Sequence, residues 1–160
     1  MSSNRRLARI VAFQSFYEWS FDKDYLKLHK EQVESFENID EIIERTLRIH
    51  HLEASNIDFA KSLIMTTIDN LESVDEIIAK YAPEWPLDQI STTDLAVLRI
   101  SITELTILKE TPPKATINEA VESSKAFGSD SSPKFVNGVL GSIFREEIEG
   151  NNQSHEKEEI

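Results

Sequence analysis

The chain has no cysteine, which excludes disulfides, a thiolate nucleophile and a cysteine-based zinc site, and fits a reducing compartment. Glycine and proline are also few, at 4 and 5 of 160 residues, so a turn-rich all-β fold is disfavoured. Neither a GxxxxGK nor a GxGxxG pattern occurs, which argues against a phosphate-binding loop. No apolar run approaches about 18 residues and no signal-peptide pattern is present, so we expect a cytoplasmic protein without a membrane anchor.

Positive charge is scarce overall but concentrated near the start of the chain. The formal net charge is −12, from 17 basic and 29 acidic residues. Residues 1–21, however, hold three arginines and one glutamate. Arg5, Arg6 and Arg9 fall in the first two turns of a predicted helix, where free amide donors and guanidinium groups suit phosphate oxygens. This segment is therefore a candidate anion site, and a solvated helix start is the alternative.

Polar and aromatic residues follow the arginines on the same predicted helix. Gln14, Tyr17 and Trp19 offer the hydrogen-bonding edges and stacking faces that unpaired bases use. The alternative is that the aromatic rings pack against the core.

Apolar residues recur at helical spacing along the chain, and no segment alternates as a strand would. We therefore predict an all-α protein, a single compact helical domain of about six or seven helices in two halves. This domain covers residues 1–147, and an acidic disordered tail covers 148–160. Helices are predicted over 4–21, 39–51 and 55–82, the last broken near 73–75, and then from Ser91, from the capping box at Thr116, and from Ser131 or Ser132.

The helix that begins at Ser91 is the most apolar and is expected to form the core of the second half. Its apolar positions are Leu95, Val97, Leu98, Ile100, Ile102, Leu105, Ile107 and Leu108. Arg99 on this helix is expected to form a structural ion pair.

Polar, aromatic and glycine residues predict the breaks and close contacts. Asp22–Asp24 is expected to form a turn, and Trp85, flanked by prolines, to fill the core. Gly128 suits a position past a helix end with positive φ. Gly138 inside a helix costs about 1 kcal/mol relative to alanine, which predicts the close approach of another helix.

The histidines give no sign of a metal or catalytic site. They are scattered, and the adjacent pair among them would point apart on a helix: His29, His50, His51 and His155. No base–nucleophile pair and no ligand spacing can be argued. We expect no metal, no cofactor and no enzymatic activity.

Four motifs resemble the NusB family of transcription antitermination factors. RRLAR at residues 5–9, followed by Gln14, Tyr17 and Trp19, is similar to the family's N-terminal segment. AVLRI at 96–100 resembles its central helix. INEAVE at 117–122 and KFVNGVL at 134–140 match its C-terminal signature.

The resemblance implies an all-helical, non-enzymatic protein that binds the boxA element of nascent RNA as a heterodimer with NusE, which is also a small-subunit ribosomal protein. It further implies that the complex joins the RNA polymerase elongation complex and other Nus factors to suppress termination, chiefly on ribosomal RNA operons. Some relatives form homodimers when free, so self-association is a further expectation. The implied RNA-binding residues are Arg5, Arg6, Arg9, Gln14, Tyr17, Lys134 and Phe135. Asp94 falls at the implied NusE surface.

Two other interpretations stay open. A helical RNA-binding module of the kind appended to ribosomal RNA methyltransferases resembles NusB in fold. Those modules are joined to a catalytic domain, and this chain has no cofactor loop, so the module is disfavoured. The other alternative is a protein-interaction scaffold whose arginines meet an acidic partner.

Overall fold

The computed structural model describes residues 3–28 and 37–151, which form seven α-helices and no strand. The helices are α1 (Ser3–Leu28), α2 (Ile39–Ile49), α3 (Ala54–Asp69), α4 (Leu71–Tyr81), α5 (Thr92–Thr103), α6 (Pro113–Phe127) and α7 (Ser132–Ile143). A short 3₁₀ turn covers Leu87–Gln89, and α5 and α7 continue as π-helical turns over Glu104–Leu108 and Phe144–Glu149. The predicted all-α class is confirmed.

Helix α5 lies at the centre because it is apolar on nearly every side. It packs against α1, α3, α4, α6 and α7, and so joins the α1–α3 half to the α6–α7 hairpin. Its buried apolar residues are Leu95, Ala96, Val97, Leu98, Ile100 and Ile102. Arg99 donates from Nε and Nη2 to the Asp75 carboxylate on α4 at 2.7 and 2.8 Å, the structural ion pair that the sequence predicted.

Helix α1 is longer than predicted. Asp22–Asp24 was expected to form a turn, but these residues are helical and α1 runs to Leu28. The Lys23 ammonium lies 5.8 Å from the centroid of the Trp19 ring, a pair at i and i+4 that favours a continued helix. The polar residues 22–24 therefore continue the helix instead of forming a turn.

The predicted long helix over 55–82 is divided at Asn70 rather than near 73–75. Asn70 has non-helical backbone angles, with φ −116° and ψ 20°. Its side-chain amide donates to the Thr66 carbonyl at 2.8 Å, which satisfies an acceptor at the end of α3. Asparagine supplies this local hydrogen bond readily, so it marks the break better than Ser73 did.

Three side-chain placements differ from the sequence predictions. Trp85 does not fill the core, because 52% of it is exposed. Gly138 makes no close approach to another helix, since an added β-carbon would meet no described heavy atom within 4 Å. Gly128 has φ −95° rather than a positive value, and its small size matters instead, because an added β-carbon would lie 2.5 Å from Ser132 Oγ.

The start of α6 and the chain after α7 also differ from the sequence prediction. Helix α6 begins at Pro113, so Thr116 is a buried residue inside the helix and not its cap. After α7 the chain stays helical through Asn151, beyond the predicted domain end at 147. Residues 152–160, the remainder of the predicted tail, lie outside the described residues.

Leu98→Ala tests the central position of α5. Leu98 is fully buried, so the substitution should lower the free energy of unfolding by about 3 kcal/mol through reduced burial and a residual cavity. Ile49→Ala is the control, because Ile49 is 70% exposed. Equal thermal midpoints for the two variants in circular dichroism would contradict the assignment.

Candidate functional site

The three arginines at the start of α1 occupy three different environments. Arg5 is half-buried, and its guanidinium carbon lies 4.2 Å from the centroid of the Phe59 ring, a cation–π contact. Arg6 is exposed and paired with a carboxylate, whereas Arg9 is buried. The three guanidinium groups therefore differ in their exposure and in the group that each contacts.

Arg9 forms a buried ion pair with Glu104, in the π-helical turn after α5. Arg9 Nε and Nη2 each donate to a Glu104 oxygen at 2.7 Å, and Nη2 also donates to Thr111 Oγ1 at 3.2 Å. The side chains of Arg9 and Glu104 are only 7% and 3% exposed. Arg9 therefore exposes almost no surface that a phosphate could contact. Its ion pair connects α1 to the turn after α5. The sequence feature that predicts this pair is Glu104, because a carboxylate in the most apolar segment needs a buried partner.

Arg6 pairs with Glu119 on α6. Arg6 Nε and Nη2 donate to the two Glu119 oxygens at 3.0 Å each. The Arg6 side chain is 57% exposed and that of Glu119 is 9% exposed. Hydrogen bonds and charge attraction from Glu119 raise the pKa of Arg6 above its usual value, so the guanidinium stays charged.

Gln14 and Tyr17 lie farther along α1 and line an open cleft of about 520 Å³, here called the aromatic cleft. Its other lining residues are Phe13, Glu18, Phe21, Thr93 and Phe127. The rings of Tyr17 and Phe21 lie 6.3 Å apart and nearly parallel. Phe21 and Phe127 are 48% and 39% exposed, so the cleft offers apolar ring faces to solvent.

Lys134, Phe135 and Asp94 meet in a second open site of about 720 Å³, here called the α5–α7 groove. Its remaining lining residues are Tyr81, Ala82, Pro83, Glu84, Trp85, Gln89, Ile90, Ser91, Ser129, Ser131, Gly138 and Val139. Asp94 is 8% exposed, and its Oδ1 is buried without a hydrogen-bond partner in the described part of the chain. A buried carboxylate oxygen without a donor costs free energy, so Asp94 is an unsatisfied acceptor beside the groove.

The cleft and the groove flank the first turn of α5. Thr93 lines the cleft and its neighbour Asp94 lines the groove. Ser91 precedes that turn and its Oγ accepts a hydrogen bond from the Asp94 amide at 3.2 Å, which confirms the predicted helix start at Ser91. A ligand that crosses this turn would contact both surfaces.

The chain matches the model of the NusB family over residues 6–145. It is 39% identical over 145 residues to the transcription antitermination protein NusB of Chloroflexus aggregans, with 89% of this chain and 88% of the relative covered. The NusB of Dehalococcoides mccartyi is 33% identical over 156 residues, covering 98% and 100%. The chain belongs to the NusB family.

Solved structures agree with this assignment. T. maritima NusB is 31% identical, with a TM-score of 0.76 over 91% of this chain and 94% of that one. A crystal structure of the antitermination factors NusB and NusE in complex with dsRNA contains a chain 26% identical, with a TM-score of 0.75 over 91% and 98%. The predicted non-enzymatic class is confirmed by the family, whose members are antitermination factors.

The predicted site residues of this NusB-family chain therefore fall into three groups. The arginines lie at the start of α1, Gln14 and Tyr17 lie in the aromatic cleft, and Lys134, Phe135 and Asp94 lie in the groove. The sequence interpretation missed further lining residues, namely Phe13, Phe21, Tyr81, Trp85 and Phe127. The spacing of Phe13, Tyr17 and Phe21 at i, i+4 and i+8 was the available signal.

The described residues were also compared with the requirements of a metal site and of a membrane-spanning helix. In residues 3–28 and 37–151, no group of three or more histidine, aspartate and glutamate side chains is placed to hold a metal ion. None of the described helices is long and apolar enough to cross a membrane.

Glu104→Gln tests whether the buried pair holds α1 in place. The substitution leaves the Arg9 charge buried without its counter-ion, so the free energy of unfolding should fall by about 3 kcal/mol. Glu122→Gln is the control, because Glu122 forms an exposed pair with Lys125 that should contribute below about 1 kcal/mol. Urea unfolding of both variants measures the difference, and similar midpoints would contradict the structural role.

Glu147 should make stability depend on pH beside the groove. Hydrogen bonds from the Tyr81 hydroxyl and from Lys80 Nζ, the latter at 3.0 Å, lower the pKa of Glu147 from its usual 4.5. Its contribution is therefore present above pH 4.5 and disappears as pH falls through the lower folded pKa. Glu147→Gln should show less acid destabilisation than wild type in thermal melts carried out below about pH 5. Parallel curves would exclude the contribution.

Proposed function

We propose that this protein binds the boxA element of nascent ribosomal RNA together with NusE, and joins the RNA polymerase elongation complex and other Nus factors in the cytoplasm. The observation that carries the proposal is the likeness, over 91% of the chain, to a chain in a solved complex of NusB and NusE with dsRNA. The two open surfaces beside the first turn of α5 support it, because they offer the ring faces and polar groups that such a complex needs.

Phosphate contacts are assigned to the start of α1 and to the start of α7. Arg6 and the half-buried Arg5 stand at the first turns of α1, and Lys134 lies in the first turn of α7. These positions supply positive charge on a molecule of net charge −12, so we assign the phosphate contacts to them. Arg9 holds α1 in place through Glu104 and is not assigned a phosphate.

Base contacts are assigned to rings that line the two surfaces. Tyr17 in the aromatic cleft and Phe135 in the groove provide faces on which unpaired bases stack, and Gln14 provides a donor and an acceptor for a base edge. Stacking on one aromatic ring contributes about 1–3 kcal/mol per base. Sequence preference then comes from the edge contacts.

NusE is assigned to the side of the groove formed by α4, α5 and the segment between them. Apolar residues such as Trp85 and Ile90 line this side, and Asp94 adds a carboxylate to it. The acidic molecule suits a basic ribosomal protein, because complementary charge speeds and orients association. RNA and NusE would then contact neighbouring parts of the groove, so the binding of one would favour the binding of the other.

Fluorescence anisotropy with a boxA RNA and a scrambled RNA tests the proposal. Measurements with and without NusE, at about 50 and 200 mM salt, should show a preference for boxA that strengthens with NusE and weakens as salt rises. Phe135→Ala should weaken boxA binding about tenfold because it removes a stacking face. Met65→Ala is the control, because Met65 is 38% exposed and lies outside the cleft and the groove.

The outcomes separate the remaining alternatives. Binding to NusE with no RNA binding in any combination would favour a protein-interaction scaffold and contradict the proposal. Asp94→Asn should weaken NusE binding, whereas Asp88→Asn, an exposed change in the neighbouring 3₁₀ turn, should not. A sizing column run beside the titration shows whether the free protein self-associates, as some relatives do.

A further inference from the structure

The pairing of Arg6 with Glu119 leaves one edge of the guanidinium group available. A guanidinium has five N–H donors in one plane. Nε and Nη2 of Arg6 each direct one N–H to Glu119 at 3.0 Å, so the Nη1 donors and the second Nη2 donor point to the other edges of the plane. The side chain is 57% exposed, so these donors face solvent.

Glu119 is held more firmly than the arginine that it binds. Its side chain is 9% exposed, on a helix that packs against both α5 and α7. A guanidinium bound at two points to a fixed carboxylate gives up most of its rotamer freedom before any ligand arrives. Arg9 differs, because its carboxylate pair is buried on both sides and leaves no exposed edge.

We propose that Glu119 is a positioning residue that presents the outer edge of Arg6 to an RNA phosphate. The inference rests on the proposed RNA-binding function. Charge alone predicts that neutralising Glu119 strengthens RNA binding, because a negative charge near a polyanion is removed. If Glu119 orients Arg6, neutralising Glu119 instead weakens RNA binding, since Arg6 must then be ordered when RNA binds.

Helix α6 offers a matched control for this comparison. Glu122 lies one turn after Glu119, carries the same charge and acts on Arg6 only through its field. Its carboxylate pairs with Lys125 at 3.1 Å rather than with Arg6. Glu122→Gln therefore removes the same charge from the same helix and leaves the Arg6 pairing in place.

The test is anisotropy titration of boxA RNA, with NusE present, for Glu119→Gln, Glu122→Gln, Arg6→Ala and the Arg6→Ala/Glu119→Gln double variant. Glu119→Gln should bind about two- to tenfold more weakly, the range expected for ordering one long side chain. Glu122→Gln should bind as tightly as wild type or more tightly. In the double variant, Glu119→Gln should weaken binding no further than Arg6→Ala does alone.

The salt dependence separates positioning from charge removal. Arg6→Ala should reduce the slope of log affinity against log salt by about 0.7, the value for one fewer phosphate neutralised on a single strand. Glu119→Gln should keep the wild-type slope, because Arg6 still reaches the phosphate. Arg6→Lys is a second test that leaves Glu119 intact. Lysine keeps the charge but has no planar group that can bind Glu119 and a phosphate on two edges, so RNA binding should weaken while the salt slope stays the same.

Each failure has a distinct meaning. If Arg6→Ala weakens binding but Glu119→Gln does not, the positioning role is wrong and the proposed function stands. If Arg6→Ala has no effect, both the phosphate assignment and the positioning role are wrong. If wild type with NusE does not bind boxA RNA, the proposed function fails and this inference fails with it. Circular dichroism melts confirm that each variant is folded at the titration temperature.

Discussion

The ion pair between Arg9 and Glu104 joins the two parts of the molecule on which the candidate site depends. Removing two charges from water is costly unless their hydrogen bonds are satisfied. Here both carboxylate oxygens accept from the guanidinium, and Thr111 accepts a further hydrogen bond from it. The pair fixes α1 against the turn that follows α5, and α5 packs against α6 and α7. Since Arg6 and Tyr17 lie on α1, the pair contributes to fixing their position relative to the groove.

Arg6 and Arg9 have different roles because they lie on different faces of α1. Arg6 and Arg9 are three residues apart, yet one is exposed and the other is enclosed between α1 and the π-helical turn. Two carboxylates, Glu104 and Glu119, hold them in place from different helices. Within this arginine-rich segment, Arg9 therefore stabilises the packing of α1, and Arg6 lies at the surface. The position of the partner carboxylate determines which role each arginine has.

Exposed aromatic rings distinguish the candidate binding face from the core. Phe16 is fully buried, whereas Phe21, Trp85 and Phe127 present large apolar areas to solvent. Such exposure marks binding surfaces when the rings gather in clefts beside polar groups. They gather on both sides of the first turn of α5, where Asp94 keeps an acceptor without a donor in the described residues.

Helical periodicity and four family motifs were enough to determine the all-α class, the central apolar helix and the NusB family from the sequence alone. These features depend on residues close together in the chain, which periodicity and motif spacing report directly. The sequence did not reveal that Arg9 is buried by Glu104, that Trp85 is exposed, or that Gly138 opens into a groove. Those outcomes depend on contacts between residues far apart in the chain, 95 positions apart for Arg9 and Glu104, so only the packing of the helices could decide them.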